Sequence, residues 1–245
     1  MFLVLSCEIW TKKFKCYKIV NMRIGTDFLD AYSSPKIICN GSVPKNNGES
    51  VPYSIELGLS KSSILECNGW KDFTTNIILQ YVVNAAEVNS YREILQNYIM
   101  LEDFKWNWSK KAFFFNTSEY NWFFLRTSDG VQGVCLTYHP QKSVFQSVNI
   151  FYIKYLSSAP WNRNSSLHDR QYKGIGTEIL KQVQFYFIRK YHYNHGFCLH
   201  SLPQAHEYYI KIGMVNLPEY NDEDGLLFYE INRENAISFL ESNNV

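Results

Sequence analysis

The chain has no Cys-x-x-Cys pair. Its six cysteines (7, 16, 39, 67, 135 and 198) are scattered over 245 residues, which argues against a zinc ribbon or a small disulfide framework and leaves free thiols in a reducing compartment as the simplest reading. An excess of one charge is missing too. With 24 Lys and Arg against 23 Asp and Glu, the net charge is +1 and the pI near 7.6, which is no electrostatic footprint for nucleic acid. No stretch approaches the ~20 apolar residues that cross a bilayer. Met1-Phe2-Leu3-Val4-Leu5-Ser6-Cys7 faintly resembles a lipoprotein cleavage site, but it lacks a basic flank and its apolar run is too short for a signal peptide, so a strand is expected there. These absences predict a soluble, cytoplasmic protein without membrane or nucleic-acid partners. What is abundant is aromatic surface: 18 Tyr and 17 Phe in a chain that is 17% aromatic point to strand-rich architecture around a substantial core. The length suits one large domain, or a domain with an appended module.

One stretch organises the rest. Val148-Asn149-Ile150-Phe151-Tyr152-Ile153-Lys154-Tyr155-Leu156 is dominated by aromatic and β-branched residues, as in a strand buried on both faces. A loop follows, and then Asp169-Arg170-Gln171-Tyr172-Lys173-Gly174-Ile175-Gly176-Thr177-Glu178-Ile179-Leu180 opens a helix, with apolar residues at 175, 179, 183, 187 and 191 on one face. The first turn of a helix carries unpartnered N–H groups and the positive end of the macrodipole. Glycines there remove side chains that would hold an anion at a distance, so phosphate or pyrophosphate is the natural ligand of residues 173–177. The competing reading is that the glycines let the helix pack closely on its sheet. The Walker pattern is absent, and Gly-x-Gly-x-x-Gly fails because position 179 is Ile.

The pattern that does fit is Gln/Arg-x-x-Gly-x-Gly/Ala, as Gln171-Tyr172-Lys173-Gly174-Ile175-Gly176. It resembles the pyrophosphate-binding motif of the GCN5-related N-acetyltransferases, the acetyl-CoA-dependent GNAT superfamily, in a bacterial-type form. The likeness continues downstream. Phe197-Cys198-Leu199-His200-Ser201 reads as the next strand, and Pro203 to Met214 resembles the following helix, with its Tyr208-Tyr209 pair and closing Lys211-Ile212-Gly213-Met214. The resemblance spans about residues 70–231 and is firmest over 150–214. It implies an α+β (α/β) fold: a mixed, mostly antiparallel central sheet flanked by helices. Residues 1–65 would form a strand-rich N-terminal extension and residues 66–245 the GNAT-like domain.

Outside that core the reading is sparser. Lys12 to Val20 partly alternates charged and apolar residues, as in an edge strand guarded by lysines, or as a weak patch for an anionic partner. Cys39 to Ser50 is a turn-rich cluster, either a hairpin tip or a linker, and Val51 to Leu57 suits a short strand. Residues 76–86 and 90–99 read as helices, and the resemblance places them over one sheet face, bordering the acceptor site. Asn121 to Arg126 and Val131 to Tyr138 flank Thr127-Ser128-Asp129-Gly130, a hairpin that matches the antiparallel pair before the family's cofactor strand, including the step Gly133-Val134. Its aromatics suit a core, with an acceptor-pocket lining as the other reading. Arg189 and Lys190 favour the helix C-terminus, where Gly196 permits the turn. Leu226 to Ile231 reads as a last strand and Glu234 to Leu240 as a terminal helix. This end offers a homodimer surface. His192, His195 and His200 have no cysteine pair or carboxylate beside them to complete a ligand set, so no metal is expected.

The resemblance also assigns roles. Amides of residues 173–177, with Gln171, Tyr172, Lys173, Gly174, Ile175, Gly176 and Thr177 around them, would hold the pyrophosphate of acetyl-CoA. The backbone of Ile153, Lys154, Tyr155 and Leu156 would meet the pantetheine arm. The two strands would splay so that the thioester sits between them, with an amide near Tyr155 or Leu156 polarising its carbonyl. Tyr209 would protonate the leaving thiolate, with Tyr208 as the neighbouring candidate; a phenol with a pKa near ~10 is neutral at pH 7. The sequence departs from the family at the base. Relatives carry a carboxylate on or just after the cofactor strand, whereas Leu156-Ser157-Ser158 has none, leaving a water chain, His168, His200 or Glu207. The function implied is acetyl transfer to a primary amine of unidentified identity; the alternative is an acyl-CoA-binding regulatory or interaction protein that has lost turnover.

Overall fold

The computed structural model describes residues 34–84, 103–165, 167–222 and 225–242. The strand expected near 12–20 and the helix expected over 90–99 lie outside these residues. The chain enters through a hairpin, β1 (Lys36–Pro44) and β2 (Ser50–Leu57). The turn-rich cluster is therefore partly strand, with its tip at residues 45–49. Next comes α1 (Lys61–Asn84), which starts well before the helical pattern at 76. Ser60 opens it by accepting the Ser63 N–H at 3.1 Å, and Ile64, Cys67 and Trp70 are its buried apolar side chains. Gly69 and the β-branched Thr74 and Thr75 dilute that signal in the sequence. Leu65, the last residue of the expected extension, lies inside α1, and β2 pairs onto the central sheet through β3.

Then follow α2 (Trp108–Phe114), β3 (Tyr120–Thr127), β4 (Gly130–Lys142), β5 (Asn149–Ser158), α3 (Ile175–Tyr191), β6 (Phe197–Ser201), α4 (His206–Lys211), β7 (Val215–Asn216), β8 (Leu227–Glu230) and α5 (Arg233–Glu241). The strands form one sheet in the order β1-β2-β3-β4-β5-β6-β8-β7. Every pairing is antiparallel except β5 with β6. This is the expected α+β architecture, a mixed, mostly antiparallel central sheet flanked by helices. No helix among the described residues is long and apolar enough to cross a membrane.

Alternation along β3 sorts the core into two layers. Phe123 and Leu125 face one side, where they pack with Ile175, Ile179, Val183 and Phe187 of α3 and with Ala236 and Phe239 of α5. Trp122 and Phe124 face the other, against Ile64, Cys67 and Trp70 of α1 and Trp108 and Ala112 of α2. The hairpin aromatics are thus core. Gly133 on β4 sets how closely α3 docks: a Cβ there would lie 2.6 Å from Ile179 and 2.7 Å from Ile175. At the far end of α3 the left-handed cap falls on His192 (φ 55°), one turn earlier than Gly196. Gly196 is instead held against β8, where a Cβ would meet the Ile231 carbonyl at 2.9 Å.

Candidate functional site

The site begins with an irregularity in β5. Against β4, Tyr155 pairs with Leu136 and Ile153 with Thr137, so Lys154 is an extra residue, a β-bulge. A bulge bends its strand and breaks the local ladder. On the other edge, β5 pairs with β6 at Phe151, Tyr152 and Ile153 and no further, although both strands continue, to Ser158 and Ser201. Residues 154–158 therefore border a gap between two parallel strands, and the expectation that β5 is buried on both faces holds only for its first half.

The N-terminus of α3 lies across the turn from this gap. Three helices open on a capping side chain: Ser60 for α1, Asn107 for α2 (Lys110 N–H at 2.8 Å) and Asn232 for α5 (Asn235 N–H at 2.9 Å). Such a cap satisfies one of the donors orphaned at a helix start. α3 opens instead on Gly174, in the left-handed conformation (φ 74°) and without a side chain to cap anything. Among the described residues no acceptor takes the N–H of Gly174, Ile175, Gly176 or Thr177. A Cβ on Gly174 would meet nothing within 4 Å, and one on Gly176 would find only Ser158 Oγ, at 3.7 Å. The space over these amides is open.

The preceding residues are fixed from outside the loop. Gln171 N–H donates to the Trp161 carbonyl, Tyr172 N–H to Asn162 Oδ1 and Lys173 N–H to the Pro44 carbonyl, while the Gln171 carbonyl accepts from Asn46 N–H. The β1–β2 tip thus braces the loop, and the Lys173 amide is already committed. Tyr172 is fully buried and donates its hydroxyl to Asp129 Oδ2 at 2.6 Å. Burial and this bond raise its pKa, and the same bond, the largest cause, lowers that of Asp129. Tyr172 therefore anchors the loop to the β3–β4 turn, and only its backbone borders the site. Gln171 and Lys173 are exposed beside it.

Tyr209, on α4, is 8% exposed and packs edge-on to Tyr208 and tilted on Tyr229. Its hydroxyl has no hydrogen-bond partner among the described residues. Burial, and after it the neighbouring Tyr208 hydroxyl and Cys135 thiol, raise its pKa well above the ordinary value. Cys135 stands opposite Leu156 in the β4–β5 ladder, so Tyr209 lies on the α3 side of the sheet at the level of the gap. Tyr208 shares a 3.0 Å hydrogen bond with Thr177 Oγ1, in the first turn of α3, and burial pushes its pKa up to about 12.

The base candidates fare unequally. His200 has both ring nitrogens engaged, with the Tyr152 hydroxyl at 3.0 Å and the Tyr220 carbonyl at 2.9 Å. His168 contacts Phe73 edge-on, with Nδ1 3.2 Å from the Asp169 carbonyl oxygen, and Glu207 is exposed at the start of α4. A carboxylate from another part of the chain reaches Ser157. Asp103 accepts from Ser157 Oγ at 2.6 Å and from Arg163 Nη1 at 2.7 Å, and Arg163 also bonds its second oxygen and the Ser158 carbonyl. Asp103 and Arg163 border a small cleft with Trp70, Trp106 and Trp108. Sequence spacing gives no hint of this group, because 54 residues separate Asp103 from Ser157. Among the described residues no three His, Cys, Asp or Glu side chains gather as a metal site would require.

No family model matches the chain, and no curated protein matches it. Among solved structures, the fold is similar to that of an uncharacterized protein (bh2621) from Bacillus halodurans, with TM-score 0.50 and 10% identity over 84% of this chain and 96% of that one. Weaker likenesses are to the N-acetyltransferase PseH of Campylobacter jejuni (TM-score 0.40, 14% identity, 73% and 98% of the two chains) and to a chimera of the Vibrio cholerae spermidine N-acetyltransferase SpeG and hSSAT (0.40, 13%, 77% and 99%). At these identities the likeness is one of fold.

Proposed function

We propose that the chain is an acetyl-CoA-dependent N-acetyltransferase acting on a primary amine. The observation that carries this reading is the opening of α3: four N–H groups without acceptors among the described residues, at the positive end of a 17-residue helix, beneath space that Gly174 leaves empty. That cradle fits a pyrophosphate. It stands beside a gap between parallel strands whose exposed edge, residues 154–158, suits an extended amide-bearing arm. Acetyl-CoA would supply the activated acetyl group as a thioester. Ile153, Lys154, Tyr155 and Leu156 offer backbone groups to the arm, and an N–H near Tyr155 or Leu156 stabilises negative charge on the carbonyl oxygen. Tyr209, kept neutral by burial, donates its proton to the departing thiolate. As the amine nitrogen bonds to the acyl carbon and the carbon–sulfur bond breaks, the amine proton leaves through water. A second reading, an acyl-CoA-binding protein without turnover, is favoured by one observation: the only carboxylate against Ser157 among the described residues is tied to Arg163.

Calorimetric titration with acetyl-CoA tests the cradle. Wild type binds, and Gly176→Glu, whose Cβ would find only Ser158 Oγ at 3.7 Å and whose carboxylate stands among the free amides, loses roughly a hundredfold in affinity while its far-UV spectrum is kept. Absence of binding by wild type sinks the reading. Binding without thiol release across a panel of amines selects the second one.

A further inference from the structure

The bulge at Lys154 does more than open the gap. It turns Lys154 and Tyr155 toward the α2 side of the sheet, opposite the α3 N-terminus. Lys154 Nζ lies 5.9 Å from the centre of the Phe115 ring, and Tyr155 packs edge-on to Trp106 at 4.9 Å. Onto this Tyr155–Trp106 corner comes an ammonium group from α2: Lys111 Nζ sits 3.3 Å from the centre of the Tyr155 ring and 4.6 Å from that of Trp106. Two ring faces converging on one cation form a site whose quadrupoles select positive charge. Both rings are only partly buried, so the corner is reachable from outside. Tyr155 also belongs to the strand segment that borders the gap. A cation held on its ring is thus beside the gap on one face of the sheet, while the free amides of α3 lie on the other.

We infer that the Tyr155–Trp106 corner is the acceptor subsite, that it recruits a primary alkylammonium of the kind a lysine side chain or an aliphatic polyamine carries, which gives up one proton to water before its nitrogen attacks, and that Lys111 occupies it as an internal competitor. The inference rests on the acetyltransferase reading for the word acceptor; the ammonium site itself rests on the rings. A guest displaces the Lys111 ammonium with its own, so the number of charges near Lys154 is unchanged. Lys111→Ala removes the ammonium together with its stem and suits a helix, which vacates the corner.

The probes are Nα-acetyl-lysine methylamide and its neutral counterpart Nα-acetyl-norleucine methylamide, titrated into the full chain and followed by tryptophan fluorescence and calorimetry. Lys111→Ala is expected to bind the lysine probe roughly tenfold more tightly than wild type and to prefer it to the norleucine probe. Adding Tyr155→Leu, or separately Trp106→Leu, removes the gain. Equal affinity of Lys111→Ala for the two probes overturns the inference, as does a gain that survives both ring substitutions. Acetyl-CoA titration of the same proteins separates the two claims. Cofactor binding without a lysine-probe gain leaves the enzyme reading and removes the subsite. A lysine-probe gain without cofactor binding leaves an ammonium site and removes its role as acceptor.

Discussion

From Phe151 to Ile153, β5 lies between β4 and a parallel partner, β6; from Lys154 to Ser158 it has β4 alone. The first half is closed. Phe151 stacks on Phe187 with ring centres 4.3 Å apart and lies near Phe197 at 5.5 Å, and it is 1% exposed. The second half is mostly half-buried. One inserted residue separates them. A continuous parallel ladder would pair the edge of residues 154–158 and leave nowhere for an extended ligand to lie. The bulge gives up several ladder hydrogen bonds and leaves an edge, which a packed sheet ordinarily avoids. Stability therefore resides in the first half of the strand and the candidate chemistry in the second.

That division is open to attack from either end. Phe151→Ala removes the stacked ring from the closed half and should cost about 3 to 5 kcal/mol of unfolding free energy, read in urea titrations; a cost below about 1 kcal/mol would show that the closed half is no keystone. Tyr209→Phe belongs to the open half. It is expected to lower kcat roughly a hundredfold with little change in acetyl-CoA affinity, because it removes the acid and leaves the amide cradle alone. A fall in affinity instead of rate would make Tyr209 a packing residue. Asp103→Asn leaves the Arg163 guanidinium, 18% exposed, without its charge partner and should destabilise by about 1 to 2 kcal/mol, with the cycle through Arg163→Met isolating the pair. The smallest effect is a pH slope. Burial raises the pKa of Tyr208 from the usual 10.0 to about 12. The folded state therefore keeps a proton that the unfolded chain gives up above about pH 10. Its contribution is complete below pH 10 and is lost as pH rises toward 12, and Tyr208→Phe should flatten the decline of stability in that window.

Much of this was open to reading along the chain. The β3–β4 hairpin, β6, β8 and α5 announce themselves through alternating or aromatic runs between turn residues, and those signals are local. The start of α3 is legible for the same reason: two glycines and an apolar repeat are contained in a dozen residues. α1 was legible only in its second half, because Gly69 and two threonines blur its pattern while three buried side chains, Ile64, Cys67 and Trp70, hold it in place. The cluster from Cys39 to Ser50 became a hairpin because β2 has β3 to pair with, a long-range fact.

Sequence by itself determined the glycine opening of α3, since a left-handed residue at φ 74° under open space admits little else, and it determined a chain with strand signals enough for a helix-flanked sheet. Tertiary structure alone decided which amides stay free, because whether an N–H has an acceptor depends on what packs beside it: Pro44 takes that of Lys173 and no described residue takes those of residues 174–177. It decided that Tyr172 turns inward to Asp129, that Asp103 meets Ser157, and that Lys111 rests on Tyr155. Each of these joins residues more than 40 apart in sequence, where neither propensity nor periodicity carries information and only the closing of the sheet and its helices brings the groups together.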